Sequence, residues 1–128
     1  MAGKTGVMAW FDLTVEGAES VRDFYQKVIG WSAEPVDMGD YSDYSMKNPD
    51  GDVVAGIVHK RGVNAALPSV WMVYITVKNL DESLAACTAN GGTILVPTRE
   101  MGGSRFTVIQ DPAGAVCTLF EQADEPTA

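Results

Sequence analysis

Two short stretches of this chain, NPDGDVVAG (residues 48–56) and DPAGAVCTL (residues 111–119), share one arrangement. Each begins with a turn that contains proline and glycine and continues into a run of small apolar residues. Proline and glycine favour tight turns, and a short apolar run bounded by a turn is typical of a buried strand. The recurrence predicts that the chain is an internal repeat of one supersecondary unit.

A constant offset relates the two halves of the sequence. At an offset of 62 residues, apolar and glycine positions coincide in the pairs Leu13 with Ile75, Val15 with Val77 and Gly30 with Gly92. One extra residue before the second turn then pairs Asn48 with Asp111, Gly51 with Gly114 and Ile57 with Phe120. The agreement at strand and turn positions indicates that the repeat extends along both halves.

The first half predicts the element order βαβββ. In MAWFDLTV (8–15), alternation places Trp10 and Asp12 on one face of a strand, opposite an apolar face. The segment AESVRDFYQKVIG (18–30) has apolar residues at helical spacing and ends in Gly30, which readily takes the left-handed conformation that follows a helix. Three more strands are predicted around residues 31–36, 41–47 and 53–58.

The second half predicts the same order. A strand at 70–77 precedes a helix within 79–92, whose first residue, Asn79, can cap the amide groups near Glu82. Further strands are predicted around residues 93–96, 106–109 and 115–120. We therefore predict one α+β domain over residues 1–128, composed of unit one (7–59), a linker (60–69), unit two (70–121) and a polar tail (122–128) that frays.

The charge balance restricts the classes of partner. The chain has 17 acidic and 9 basic residues, which gives a formal net charge of −8. Such a charge repels phosphate backbones and anionic headgroups, so we expect neither a nucleic acid nor a membrane partner. No apolar run reaches the length of a membrane span, and the opening MAGKTGVMAWF does not have the pattern of a signal peptide. We expect a cytoplasmic protein.

The repeat, the turns and the pair Phe24–Tyr25 followed by Gly30–Trp31 together resemble the vicinal oxygen chelate superfamily, the glyoxalase/bleomycin resistance protein/dioxygenase group. The resemblance covers residues 7–121. It implies that the two βαβββ units curl a mixed sheet into a cup that binds small molecules. Because one fold hosts many functions, the resemblance alone does not identify a reaction.

Metal-using relatives place ligands on the first and last strands of each unit. Carried over to this sequence, those positions are Trp10, Ala55, Met72 and Thr118. None is a usual ligand of a divalent ion, which prefers imidazole, carboxylate or thiolate groups. His59 is the only histidine in the chain. We therefore expect no metal and no other cofactor.

The candidate site residues follow from the same positions. Trp10 is the candidate aromatic wall and Asp12 its polar anchor, while His59, which continues the strand face of Ala55 and Ile57, is a candidate proton-transfer group at the rim. Asp12 and His59 are the candidate catalytic residues. The full set of candidate ligand-binding residues is Trp10, Asp12, Ala55, Ile57, His59, Met72, Tyr74, Thr118 and Phe120.

Two functions of different classes remain open at this point. The first is a metal-independent binding protein of the bleomycin-resistance type, which sequesters a partly aromatic or hydrophobic small molecule. The second is a lyase, isomerase or dioxygenase-like enzyme, which either is metal-free and uses Asp12 and His59 or has a metal site that the sequence does not show. The resemblance also implies a homodimer, because many relatives complete the cup across a twofold axis.

Overall fold

The structure, a computed structural model, describes residues 4–123. Residues 124–128, which make up most of the predicted tail, lie outside the described part of the chain. The first set of elements is β1 (Met8–Val15), α1 (Ala18–Ile29), β2 (Ser32–Asp37), β3 (Ser42–Lys47) and β4 (Val53–His59). After a single 3₁₀ turn (Gly62–Asn64), the second set is β5 (Trp71–Thr76), α2 (Leu80–Ala89), β6 (Thr93–Met101), β7 (Ser104–Gln110) and β8 (Val116–Glu121). The predicted α+β class and the twofold βαβββ order are confirmed.

The N-terminal compact unit comprises Trp10–Met72. Its strands lie in the order β2-β3-β4-β1, with β1 parallel to β4 and the other neighbours antiparallel. Helix α1 packs on one face of this sheet, because its apolar residues Val21 and Tyr25 contact a buried cluster formed by strand residues and Ala18 of α1. The buried members of that cluster are Leu13, Val15, Ala18, Tyr44, Met46 and Ile57.

The C-terminal compact unit comprises residues 4–9 and 73–123. Its strands lie in the order β5-β8-β7-β6, and β5 runs parallel to β8. The residues before β1 belong here because the amide of Gly6 donates to the carbonyl of Thr76, and the amide of Thr76 donates to the carbonyl of Val7. Helix α2 packs against β6, β7 and β8.

The two turns that reveal the repeat have the same hydrogen bonds. In the first turn the amide of Gly51 donates to the carbonyl of Asn48, and in the second the amide of Gly114 donates to the carbonyl of Asp111. The side chain of the first residue also accepts an amide hydrogen bond four residues later in each case. Gly51 and Gly114 have φ values of 88° and 92°, which favour glycine.

The helix ends follow the sequence signals. Gly30 ends α1 with φ of 83°, and its amide donates to the carbonyl of Gln26. At the start of α2 the side chain of Asn79 accepts a 3.0 Å hydrogen bond from the amide of Glu82, which confirms the predicted cap. Neither α1 nor α2, the helices within residues 4–123, is long and apolar enough to cross a bilayer.

Strands β6 and β7 are longer than the sequence predicts. They form a hairpin that turns at Gly102 and Gly103, so β6 continues to Met101 instead of ending near Val96. The register slips twice along β6 before it pairs Arg99 with Phe106. These irregularities interrupt the alternation of apolar and polar residues, and for that reason the sequence pattern ends early.

Candidate functional site

Trp10, Asp12 and Gly56 lie together on the sheet face of the N-terminal unit that α1 does not cover. The indole Nε1 of Trp10 donates a hydrogen bond of 2.7 Å to Oδ1 of Asp12. Gly56 of β4 is in register with Asp12 of β1. We call these three residues the indole–carboxylate face.

Gly56 allows this arrangement because it has no side chain. A Cβ atom at this position would collide with Oδ1 of Asp12 and would lie 3.7 Å from Cζ2 of Trp10. Gly56 is not among the glycines with positive φ, so the space above it, and not its backbone conformation, requires glycine. The carboxylate and the indole can therefore lie close to Gly56 of the neighbouring strand.

The position of Ala55 corrects the predicted ligand register. The pairing of β3 with β4 is irregular: Met46 pairs with Ala55 but Lys47 pairs with Val53, so one extra residue is accommodated in β4. Ala55, the predicted ligand position on the last strand of unit one, is only 3% exposed and in register with the core residue Met46. The residue that faces Asp12 is Gly56.

The same irregularity corrects the alignment of the last strands. Asp12 is in register with Gly56, and 62 residues later Tyr74 is in register with Thr118. Gly56 is therefore the structural counterpart of Thr118. The counterpart of Phe120 is Val58, and Ile57, which the sequence aligned with Phe120, corresponds to Leu119.

Ile57 and His59 lie on the opposite face from Trp10 and Asp12. Ile57 is fully buried in the cluster that packs against α1. His59 follows it at the end of β4, where its Nε2 is 2.9 Å from Oε1 of Glu19 on α1. The expectation that Ala55, Ile57 and His59 share one wall with Trp10 and Asp12 is therefore wrong, because residues paired across parallel strands share a face and their neighbours along each strand do not.

His59 is enclosed by acidic and aromatic groups. Its Nδ1 lies 3.2 Å from Oδ1 of Asp43, which also accepts the backbone amide of His59 at 2.9 Å. The rings of Tyr41 and Tyr44 lie 5.3 and 6.2 Å from the imidazole centre. Burial lowers the pKa of His59, but the hydrogen bonds to Glu19 and then Asp43 outweigh it, so the pKa is raised above its ordinary value.

This environment corrects the joint catalytic role expected for Asp12 and His59. The two side chains face opposite sides of the N-terminal sheet, and the imidazole already has carboxylate partners on both ring nitrogens. A general acid and base must both reach the same reacting group. The pair therefore cannot work on one substrate in this arrangement.

In the C-terminal unit, Tyr74, Thr118 and Phe120 share the sheet face that α2 does not cover. Tyr74 is in register with Thr118, and Phe120 is the next residue but one on β8. Thr118 is fully buried, and its hydroxyl has no hydrogen-bond partner within residues 4–123. Met72, the remaining candidate, is buried in the N-terminal unit.

Sequence reasoning missed Gly56 and Arg99. The glycine alone carries no chemical signal, and only the register with Asp12 reveals its role. Arg99 lies on the part of β6 that the sequence pattern did not predict, and its Cζ is 4.7 Å from the ring centre of Phe106. Beyond Pro97 the sequence reads TREM (98–101), which does not alternate between polar and apolar residues, so no local signal extended the strand to Arg99.

The side chains do not fit the divalent metal that the resemblance implies. Within residues 4–123, no group of three or more His, Cys, Asp or Glu side chains could hold a metal ion. After the corrected register, the ligand positions are Trp10, Gly56, Met72 and Thr118. These residues offer an indole, a hydrogen atom, a thioether and a hydroxyl. Asp12 is the only carboxylate of the indole–carboxylate face, and one carboxylate does not complete a coordination shell.

An open groove of about 390 Å³ lies elsewhere, between α2 and the C-terminal sheet. It is lined mainly by apolar side chains, including Val77, Ile109 and Leu119. It shares no residue with the candidate set, and its walls belong to the helix-covered face. The groove is therefore distinct from the candidate site residues.

The sequence is similar to a family model and to curated proteins. The family model described as the glyoxalase/bleomycin resistance protein/dioxygenase superfamily matches residues 7–118. The protein CFP32 of Mycobacterium bovis, which its name proposes to be a glyoxylase, is 30% identical over 122 residues, covering 92% of this chain and 46% of that protein. The anthracycline biosynthesis protein DnrV of Streptomyces peucetius is 28% identical over 130 residues, covering 91% and 47%. The chain thus spans about half the length of these relatives.

Solved structures with the same fold have lower sequence identity. Methylmalonyl-CoA epimerase from Mycobacterium tuberculosis matches with a TM-score of 0.62 at 17% identity, covering 97% of this chain and 94% of the epimerase chain. The hypothetical protein BH1468 from Bacillus halodurans matches with a TM-score of 0.63 at 12% identity, covering 98% and 100%. At this identity the likeness establishes the fold alone.

Proposed function

This chain belongs to the glyoxalase/bleomycin resistance protein/dioxygenase superfamily, and from that premise we propose that it is a metal-independent binding module for a small, partly aromatic molecule. Proteins of this family bind small-molecule substrates or ligands. The proposal assigns binding, without a chemical step, to the indole–carboxylate face.

The observation that carries the proposal is the hydrogen bond between Trp10 and Asp12 above Gly56. It holds a flat aromatic surface and an anionic group side by side on a strand, with both side chains only partly buried. An indole face attracts aromatic rings and cations, and a carboxylate attracts hydrogen-bond donors. Residues that only filled the core would not need a carboxylate at this position.

The charge of the chain favours a cationic ligand here. A net charge of −8 raises the local concentration of cations by long-range attraction. Asp12 adds a specific partner for an amidinium or ammonium group. Benzamidine, which is an aromatic cation at neutral pH, combines both features and is a suitable probe.

The test is a titration with benzamidine followed by the indole N–H signals in two-dimensional NMR. The chain has three tryptophans, so the signal of Trp10 is identified by its loss in Trp10→Phe. We expect benzamidine to shift that signal, and Trp10→Ala to weaken binding roughly tenfold. Asp12→Asn should weaken the binding of benzamidine more than the binding of neutral benzyl alcohol, because the substitution removes the charge of the side chain and keeps its shape.

Trp31→Phe is the matched control, because Trp31 packs in a separate aromatic cluster with Tyr25 and Trp71. That variant should bind benzamidine as the parent does. Equal affinity of the parent, Trp10→Ala and Asp12→Asn proteins for the probe would refute the proposed site. A melting temperature that falls with chelator and recovers with one metal would refute the metal-independent part.

The proposal includes a homodimer in the cytoplasm. The curated relatives are about twice as long as this chain, so a second copy could supply what the other half of those proteins supplies. Size-exclusion chromatography with light scattering tests this directly. A monomer of about the chain mass, 13.7 kDa, would contradict the dimer.

A further inference from the structure

Three buried polar atoms of the C-terminal unit have no hydrogen-bond partner within residues 4–123. They are Oγ1 of Thr76, Oγ1 of Thr118 and Nε of Arg99. Thr76 is 4% exposed and Thr118 is fully buried. An unpaired buried polar group destabilises the folded state, so three in one small unit require an explanation.

Strand register places all three on the sheet face that α2 does not cover. Thr76 is in register with Phe120, and Phe120 is in register with Phe106. Phe106 is in register with Arg99, whereas Thr118 lies two residues before Phe120 on the same strand. We call Thr76, Arg99 and Thr118 the donor face.

Aromatic rings form the floor of the donor face. The guanidinium of Arg99 lies over the ring of Phe106, with 4.7 Å between Cζ and the ring centre. The ring of Tyr74 lies tilted 6.3 Å from that of Phe106. Arg99 thus extends over the neighbouring strand, and its guanidinium and the two rings offer planar groups on which a flat ligand could stack.

Arg99 differs from the other arginines in its partners. Arg22, Arg61 and Arg105 each form an ion pair with a carboxylate. No ion pair joins Arg99 to a carboxylate of the described chain, and it is the only charged side chain that the register places on this face of β6, β7 and β8. Although the chain has 17 acidic residues, this partly buried cation has no carboxylate partner within residues 4–123.

We propose that the donor face binds the carboxylate of a planar aromatic anion. Arginine only donates hydrogen bonds, and each threonine hydroxyl can donate one, so the set is complementary to ligand oxygens. A carboxylate gains the charge of Arg99 as well. This site extends the proposed binding function, because it adds an anion-selective surface in the C-terminal unit to a cation-selective one in the N-terminal unit.

The experiment uses sodium benzoate as the probe and the full chain. Benzoate is titrated while NMR follows the Nε–H signals of the arginines and the backbone amides of β8. We expect benzoate to shift the Arg99 Nε–H and Thr118 amide signals in a saturable manner. Neutral benzamide should bind at least several-fold more weakly, because it lacks the charge.

Substitutions separate the site from general charge attraction. Arg99→Gln should weaken benzoate binding about tenfold or more. Arg99→Lys should retain only part of the affinity, because lysine lacks the planar guanidinium group. Thr118→Val should weaken benzoate about twofold to tenfold through the lost hydrogen bond. Arg61→Gln is the matched control, since Arg61 also lies over a ring, that of Tyr41, but in the other unit.

A second control tests the threonine. Thr107 is a buried threonine on the adjacent strand whose hydroxyl is already bonded to that of Thr98 at 2.7 Å. It is in register with Leu119 and so faces α2. Thr107→Val should leave benzoate affinity unchanged.

Three results would overturn the donor face as a site: no saturable shift with benzoate, equal benzoate affinity of the parent and Arg99→Gln proteins, or equal weakening by Arg99→Gln and Arg61→Gln. The Arg99 Nε–H shift is measured on the parent protein, so it does not depend on the folding of a variant. None of these results would affect the proposed benzamidine site at Trp10 and Asp12. Likewise, a failure to bind benzamidine would not affect the benzoate result. Each of the two proposed sites can therefore be refuted without refuting the other.

Discussion

Gly56 lies in register with Asp12, and a Cβ atom at Gly56 would occupy the place of the Asp12 carboxylate. The two residues come from parallel strands and share one face of the N-terminal sheet. The absence of a side chain at one position is thus what permits the hydrogen-bonded carboxylate at the other.

Replacing Gly56 by Ala should displace Asp12 and break its 2.7 Å hydrogen bond with Trp10. We expect the free energy of unfolding to fall by about 1–2 kcal/mol, since a lost bond to a charged group outweighs the gain from replacing a strand glycine. Chemical denaturation measures the change, and the Trp10 indole N–H signal reports the broken bond.

The Asp12→Ala/Gly56→Ala double variant supplies the control. Without the carboxylate the new Cβ has space, so alanine at position 56 should then cost nothing or stabilise by about 0.5–1 kcal/mol. If Gly56→Ala is equally harmful with and without Asp12, the collision does not explain the glycine.

The stability should depend on pH through His59. Its pKa is raised in the folded protein, so this contribution is fully present below the unfolded pKa of about 6.5 and is lost as pH rises through the folded value. Denaturation at pH 6 and pH 8 should show the loss, and His59→Gln should reduce it. Because the chain has one histidine, its NMR titration is unambiguous, and a pKa at or below 6.5 would contradict the enclosed geometry.

Thr118 and Thr107 should respond oppositely to substitution by valine. Thr118→Val removes a buried hydroxyl without a described partner, so stability should stay the same or rise by up to about 1 kcal/mol. Thr107→Val removes a hydroxyl bonded to Thr98, so stability should fall by about 1 kcal/mol. Thermal and denaturant unfolding of the two variants give the comparison. A marked loss for Thr118→Val would mean that its hydroxyl has a stabilising role in the free protein.

Glu121 stabilises the start of α2. Its carboxylate accepts the amide of Leu80 at 2.7 Å and a 3.1 Å hydrogen bond from Nε of Arg105. Arg105 first and the Leu80 amide second lower the pKa of Glu121, so its contribution is present above about pH 4.5 and is lost as pH falls through the folded value. Glu121→Gln should reduce stability by about 1 kcal/mol at pH 7 and flatten the acid limb of the profile.

Asp81 provides the matched comparison for Glu121. It also pairs with Arg105, at 3.3 Å, but its side chain is 75% exposed. Exposed ion pairs contribute little, so Asp81→Asn should change the unfolding free energy by only a few tenths of a kcal/mol. Equal losses for the two variants would show that the helix cap is not the source of the effect.

The repeat and its turns could be predicted from the sequence because their signals are local. Gly51 and Gly114 are needed at positive φ, Gly30 ends a helix, and Asn79 caps the next one. Each requirement acts within a few residues, so the pattern records it directly. The alternation in MAWFDLTV likewise predicted that Trp10 and Asp12 share a face.

The composition of the candidate site depended on pairing between distant residues. The irregular pairing between β3 and β4 moved Ala55 to the core and brought Gly56 opposite Asp12. A shift of one residue exchanges the two faces of a strand, so Ile57 and His59 came to lie beneath α1, contrary to the sequence prediction. No local pattern records such a shift.

The sequence alone determined the family, the α+β class and the absence of usual metal ligands at the expected positions, because residue identity and short-range periodicity suffice for these. Only the tertiary structure decided that Asp12 and His59 face opposite sides of a sheet, and that Arg99 shares a sheet face with Thr76 and Thr118. Those relationships depend on strand register, which is established by hydrogen bonds and packing between residues far apart in the chain.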